Sequence, residues 1–322
     1  MFRHAVITAF LGRTRDRFQY YNEERSLEQK FALVQSIAAL SGVEIVYPYE
    51  VETAERTREL LTQYQLEVAA VNVNVKAEPE FLQGGLSSSR RQTRERAVQL
   101  IREAKDFALA VGADKVTCCP LGDGYEFAFQ TAYARVWDYF AESLGAAAEY
   151  RPELPLFIEP KPCESRGSCF FDTATRTALF IQKLGLPAPA MGVTIDFGHS
   201  IYARQNPSEE IALLQSLGIP FYVHINDNDK RWDWDYISAT RHVWEYTEFL
   251  YHLMETGYRD FLTTDAQPTR WDMREFFADN CAVTDAIVQK LHALNEVQQL
   301  DLVPEKFLEN RRLLAKEVFG LA

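Results

Sequence analysis

Several features are missing from this 322-residue chain, and each absence narrows what it is. No apolar run approaches the roughly 20 residues that a membrane-spanning helix needs, so no membrane partner is expected. Cysteine is sparse and odd in number: Cys118, Cys119, Cys163, Cys169 and Cys281 form no CxxC pair. That pattern excludes a disulfide framework and reads as reduced thiols in a cytoplasmic protein. The opening MFRHAVITAFLGRTRDR breaks its apolar run too soon for a secretory signal. Positive charge is in deficit, with 34 Lys and Arg against 46 Asp and Glu, a net charge of −12. Phosphate neutralisation drives nucleic-acid affinity, so no nucleic-acid partner is expected and a small neutral substrate is easier to reconcile. No linker or low-complexity segment divides the chain. The stretch LGDGYEF (121–127) is too weak for a glycine-rich dinucleotide turn.

What is present is a repeat of β-rich and helical stretches. The strand candidates are HAVITAFL (4–11), VEIVYPY (43–49), LEVAAVNVNV (66–75), KVTCCPL (115–121), PLFIEP (155–160), MGVTIDF (191–197), FYVHIND (221–227) and DFLTTD (260–265). These are continuous apolar runs, as expected of parallel strands buried on both faces. Helical patterns fill 26–42, 52–64, 88–112, 126–149, 172–186, 207–217, 240–256 and 272–297. The first has a Ser26 cap and is expected to end at Gly42. Eight strand–helix units predict an α/β fold, the (β/α)8 TIM barrel, as one catalytic domain over 1–297. Residues 298–322, with Pro304 at a helix start, are expected to form a C-terminal helical extension that packs on the barrel or a neighbouring subunit.

Barrel active sites lie at the C-terminal ends of the strands, so the residues ending each strand are the test. Strand 5 delivers Glu159 and Lys161, strand 6 Asp196 and His199, strand 7 His224, and strand 8 Asp265. Beyond His224 the stretch VHINDNDKRWDWD crowds four aspartates into residues 223–235. Carboxylates buried together without a cation are costly, and a divalent ion removes that cost. The residues divide into two metal sets. Glu159, Asp196, His224 and Asp265 form one. Asp196 bridges to a second made with His199, Asp233 and Asp235, the two aspartates pointing the same way from an extended loop. Asp227 and Asp229 are left as either supporting or solvent-facing residues. Oxygen-rich ligation with imidazole suits Mn²⁺, with Mg²⁺ or Co²⁺ as alternatives, two ions per subunit. Trp232 is a candidate substrate-binding residue, and Phe10, Trp234 and Trp271 are candidate walls of the same pocket. Arg13, Arg15 and Arg17 read as a solvated basic loop.

At these residues the sequence resembles the xylose isomerase-like barrel superfamily. EPKP (159–162) resembles that family's metal glutamate and catalytic lysine, IDFGHS (195–200) its strand 6 acid and histidine, and TTDAQP (263–268) its last metal aspartate. The strand 7 histidine followed by an Asp-x-Asp loop is closer to rhamnose isomerase. The resemblance is specific over about residues 155–268 and elsewhere follows only the βα rhythm. It implies aldose–ketose isomerisation of a small unphosphorylated sugar by a metal-assisted 1,2-hydride shift. Glu159, Lys161 and Asp265 would be the catalytic residues, Lys161 and His199 would also contact substrate, and the assembly would be a homodimer or homotetramer. One departure stands out: strand 2 ends VYPYEV without the histidine those isomerases use in ring opening, and CCPLGDG lacks their strand 4 tryptophan. A branched or furanose-restricted pentose, or a deoxyhexose, is therefore expected rather than xylose.

The alternative is a metal-dependent ketose 3-epimerase, which moves a proton between two acids, Glu159 among them. Asp265, where those epimerases carry glutamate, favours the isomerase. An apurinic-site endonuclease is disfavoured by the negative charge and by only six histidines in the chain. A non-catalytic sugar sensor is disfavoured by Lys161 and the full second metal set.

Overall fold

The computed structural model describes residues 2–321. Eight strands, β1 (Arg3–Ile7), β2 (Leu40–Tyr47), β3 (Glu67–Val73), β4 (Val116–Cys118), β5 (Leu156–Ile158), β6 (Met191–Asp196), β7 (Phe221–Ile225) and β8 (Phe261–Thr264), run in sequence. They close into a parallel barrel, with β1 hydrogen-bonded to both β2 and β8. Helices α1 (Leu27–Gln35), α2 (Ala54–Tyr64), α3 (Arg91–Val111), α4 (Tyr133–Ala148) and α5 (Ala174–Leu184) follow the first five strands. A short α6 (Phe197–Tyr202) and then α7 (Pro207–Ser216) follow β6, and α8 (Val243–Glu255) and α9 (Met273–Val297) complete the ring. The (β/α)8 barrel expected from the strand–helix rhythm is the fold observed.

Burial on both faces explains the unbroken apolar runs: every residue of β6 is buried. Side chains alternate along a strand, so Tyr222 and His224 point to the same side, as do Phe157 and Glu159. That side is the barrel interior. Ala5, Ala69, Ala70, Phe157, Tyr222 and Phe261 cluster as its apolar layer, and the acids and histidine stand one layer further toward the C-terminal mouth. Helices start where caps allow. Ser26 and Gln29 form a reciprocal capping box on α1, while Thr53, Thr173 and Asp272 cap α2, α5 and α9.

One expected boundary is corrected. The helix predicted over 26–42 stops at Gln35, and Leu40 already pairs with His4 in the barrel. Gly42 is not a helix cap. A Cβ there would lie 2.6 Å from the Phe261 ring, so the glycine makes room for that ring inside the barrel. Helix α6 and two short antiparallel ribbons, Thr14–Arg15 with Tyr20–Tyr21 and Gly124–Tyr125 with Ser168–Cys169, lie in stretches read from sequence as connections.

The tail forms a turn at Pro304–Lys306 and then α10 (Phe307–Glu317). Leu314 and Val318 pack against the core of the later half-barrel, and the Phe319 ring sits 4.4 Å from Trp244 on α8. No helix among the described residues is long and apolar enough to cross a membrane. All five cysteines are free.

Candidate metal centre and active site

The C-terminal ends of β5 to β8 bring Glu159, Asp196, His224 and Asp265 together. One ligand atom from each lies within 4.8 Å of the other three. The imidazole is the hub. His224 Nδ1 is 3.3 Å from Asp265 Oδ2, 3.6 Å from Glu159 Oε2 and 3.9 Å from Asp196 Oδ2, yet it makes no hydrogen bond. Its other nitrogen donates to Glu44 Oε2 at 2.9 Å. Glu44 in turn accepts from Thr117 Oγ1 at 2.6 Å and Asn72 Nδ2 at 2.9 Å. That bond puts a proton on Nε2 and leaves Nδ1 facing the carboxylates, the nitrogen whose lone pair a cation would take in exchange for its proton. An unpartnered buried nitrogen facing three carboxylate oxygens fits a divalent cation, and the mixed oxygen and imidazole donors suit Mn²⁺, Mg²⁺ or Co²⁺.

The electrostatics agree. Burial first, then the charges of Asp265, Asp233 and Glu159, raise the Asp196 carboxyl to about 7 despite His199. Burial and the Glu159 charge also raise Asp265, against the pull of His224. Groups that resist ionisation because like charges face them are those that a cation relieves.

The second expected set stands beside the first but in ion-paired form. His199 Nε2 is hydrogen-bonded to Asp233 Oδ2 at 3.0 Å, and its Nδ1 is 3.1 Å from Glu159 Oε1. Lys161 Nζ is 2.9 Å from Asp233 Oδ2 and 3.2 Å from Glu164 Oε2. Lys161 therefore pairs with the loop aspartate, not with Glu159. Asp235 lines the mouth in the left-handed backbone region, φ +50°. Burial and the facing charges of Asp233 and Asp265 push its carboxyl far above the ordinary value. Among the described residues only the first set closes to metal-binding distances.

Three consecutive residues after β7 hold this arrangement. Asn226 accepts from Gly198 N at 2.7 Å and donates to Asp196 Oδ2 at 3.1 Å. Asn228 donates to Gly198 O at 2.7 Å and Asp233 Oδ1 at 3.2 Å. Asp227 anchors the far end of the loop, accepting from Arg241 N, His242 N and His242 Nδ1 at 2.7, 3.0 and 2.7 Å. Asp227 is thus a buried support, whereas Asp229 caps an exposed turn through Arg231 N and Trp232 N. Asp196 itself caps α6, accepting from His199 N at 2.8 Å, so a single carboxylate fixes the spacing between two of the predicted residues.

Above the cluster opens a cavity of about 1020 Å³, lined by Asp233, Asp235, Glu164 and the indoles of Trp232, Trp234 and Trp271. Trp232 is 45% exposed there, in position to meet a ligand. Phe10 packs against the barrel core instead. Arg15 and Arg17 line the mouth, whereas Arg13 pairs with Glu24. Sequence reasoning missed Glu44 and Glu164. Glu44 sits mid-strand in an apolar run, and its charge, VEIV (43–46), was the one signal available. Glu164 sits three residues past Lys161 in a loop whose shape the sequence does not declare.

A closed parallel barrel gathers three carboxylates and an imidazole at its C-terminal mouth, a cluster that could hold a divalent cation. The chain belongs to the xylose isomerase-like TIM barrel family, whose sequence profile matches residues 31–278. It is 27% identical over 248 residues to the xylose isomerase of Thermus thermophilus, a match covering 74% of this chain and 64% of that one. Against the xylose isomerase of Brucella anthropi it is 25% identical over 270 residues, covering 77% and 62%. The chain thus spans less than two-thirds of the length of these relatives. Among solved structures, an L-ribulose 3-epimerase superposes with a TM-score of 0.74 at 17% identity, covering 94% of this chain and 100% of that one. A D-tagatose 3-epimerase-like protein gives a TM-score of 0.69 at 19% identity, covering 91% and 98%.

Proposed function

We propose that the protein is a divalent-metal-dependent aldose–ketose isomerase acting on a small unphosphorylated sugar, a pentose, branched pentose or deoxyhexose. The observation that carries this reading is the Lys161 ammonium held 2.9 Å from Asp233, beside the four-residue cluster. Glu159, Asp196, His224 and Asp265 would hold one ion, and Asp196, His199, Asp233 and Asp235 a second. The bound cations supply Lewis acidity toward the sugar oxygens, and the chain supplies the rest. Lys161 is a fixed donor for the carbonyl oxygen as negative charge grows on it. Burial lowers the Lys161 ammonium's affinity for its proton, but Asp233, Asp235 and Glu164 more than offset this and hold it well above its usual value. It therefore stays charged, fit to stabilise an oxyanion and unfit to act as a base. With no neutral base on Lys161, hydrogen passing between C2 and C1 as hydride is the economical route.

A second reading has its own support. The superposed structures named as ketose 3-epimerases share this fold, and Glu159 and Asp265 bring two carboxyls to the cluster from different strands, the two acids such a reaction needs. An aldose deuterated at C2 and a ketose deuterated at C3 separate the two. Deuterium carried from C2 of the aldose to C1 of the ketose supports the isomerase. Deuterium lost to water from C3 of the ketose, with inversion there, supports the epimerase. Neither product from a panel of pentoses and deoxyhexoses would sink both.

A further inference from the structure

An aldose in water is almost wholly a cyclic hemiacetal, whereas transfer between C1 and C2 needs a free carbonyl. Water opens the ring slowly, and a group at the mouth that takes the proton of the anomeric hydroxyl would speed the step. Four carboxyls line the cavity: Asp16, Glu164, Asp233 and Asp235. Asp16 is spent on Phe18 N, Gln19 N and Tyr21 Oη at 2.6, 2.8 and 2.6 Å. Asp233 accepts from Lys161, His199 and Asn228. Asp235 faces Asp233 and Asp265 within the second metal set. Both histidines of the site, His199 and His224, already contact its carboxylates.

Glu164 is different. Its Oε2 is buried, 3.2 Å from Lys161 Nζ, and has no aligned hydrogen bond. Its side chain still reaches the cavity and is 24% exposed. The backbone holds it there at φ +67°, a left-handed conformation that a non-glycine residue keeps only where its surroundings enforce it. A built ribbon enforces that conformation. Glu164 N donates to Arg166 O at 2.7 Å and Cys169 N to Pro162 O at 3.1 Å. Arg166 is bolted to Gly122 O at 2.9 Å and to the Glu126 carboxylate. The partner strand of this ribbon tolerates no side chain at Gly124, where a Cβ would stand 2.2 Å from Ser168 O.

We propose that Glu164 is a catalytic acid–base residue that opens the sugar ring, an assignment resting on the isomerase reading above. Its carboxylate takes the proton from the anomeric O1–H. The C1–O1 bond becomes a carbonyl as the bond from C1 to the ring oxygen breaks, and that electron pair stays on the ring oxygen. The ring oxygen takes a proton from a water molecule, and the Glu164 acid returns its proton to the hydroxide left behind. The net change is one hydrogen moved from O1 to the ring oxygen, with Glu164 restored.

The test separates ring opening from isomerisation. Mn²⁺-loaded protein is added to a freshly dissolved single anomer of D-ribose or D-lyxose and mutarotation is followed by polarimetry. Glyceraldehyde, too short to close a five- or six-membered ring, is assayed for conversion to dihydroxyacetone. Wild type is expected to accelerate mutarotation, Glu164→Gln to reduce that acceleration by about 100-fold, and Glu164→Asp to recover part of it. Glyceraldehyde conversion is expected to fall far less than mutarotation in Glu164→Gln, because Asp233 still pairs with Lys161 at 2.9 Å. The proposal is overturned if wild type gives no acceleration, if Glu164→Gln mutarotates as wild type does, or if glyceraldehyde conversion falls in parallel, since the residue would then only hold Lys161. Mutarotation without any glyceraldehyde or pentose isomerisation would support Glu164 while removing the isomerase reading.

Discussion

His224 donates its Nε2–H to Glu44 across 2.9 Å, with both side chains fully shut off from solvent. Burial alone would raise the Glu44 carboxyl, but the facing His224 charge and the hydrogen bonds from His224, Thr117 and Asn72 bring it below its ordinary value. Glu44 is therefore an anion that fixes the imidazole's tautomer and strengthens Nδ1 as a donor. Glu44→Gln keeps the shape and removes the charge. Its affinity for Mn²⁺, measured by calorimetry, is expected to fall roughly 10- to 100-fold. An unchanged dissociation constant would mean that Glu44 only packs.

Metal binding is expected to act on stability as well as on activity. Three carboxylates facing one imidazole nitrogen repel each other without a cation. Mn²⁺ at about 100 times its dissociation constant adds about 2.7 kcal/mol, a rise in melting temperature on the order of 5 °C. Asp196→Asn removes one repelling charge. Scanning calorimetry should show it melting no lower than wild type in chelator, yet failing to respond to Mn²⁺. A full metal-induced shift in that variant would place the ion elsewhere.

Gly198→Ala sets helix propensity against packing. Alanine favours the helical backbone by about 1 kcal/mol, but its Cβ would stand 2.3 Å from Asn226 Oδ1 and 3.1 Å from Asn228 Nδ2. Asn226 carries Asp196 and Asn228 carries Asp233, so both acids shift. The expected result is a net loss of stability in urea, of about 1–3 kcal/mol, with weakened Mn²⁺ binding. A more stable variant with unchanged metal affinity would refute the role given to the two asparagines.

Glu210, on α7, links Ser200 and Ala174, accepting from Ser200 Oγ at 2.5 Å and Ala174 N at 3.3 Å. Burial raises its carboxyl to about 7 against the lowering effect of those two bonds. The folded protein thus holds this proton more tightly than the unfolded chain. Its contribution to stability is complete below about pH 4.5 and is lost as pH rises to about 7. The span corresponds to something on the order of 3 kcal/mol. Urea titrations of wild type and Glu210→Gln between those limits should show the downward slope with pH flattened in the variant. Parallel slopes would show that Glu210 ionises normally.

Much of the site was legible because barrel geometry turns chain order into spatial order. Glu159, Asp196, His224 and Asp265 each end a strand, and parallel neighbours bring those ends level, so four distant residues meet within 4.8 Å. The loop aspartates were harder. Asp227 and Asp229 look alike in sequence, and only the antiparallel pairing of Asp227 with Tyr236 turns the first inward while the second stays in an exposed turn.

The alternation of apolar runs and amphipathic helices determined the closed barrel, because eight parallel strands buried on both faces have few other ways to satisfy their edges. The residue types at the strand ends likewise determined a cluster of donors that could hold a cation. Tertiary structure decided the rest. It ended α1 early because Leu40 pairs with His4, put Glu44 beneath His224 across 180 residues of chain, and held Glu164 in a strained turn over Lys161. Those choices depend on contacts between distant segments, which local pattern cannot carry.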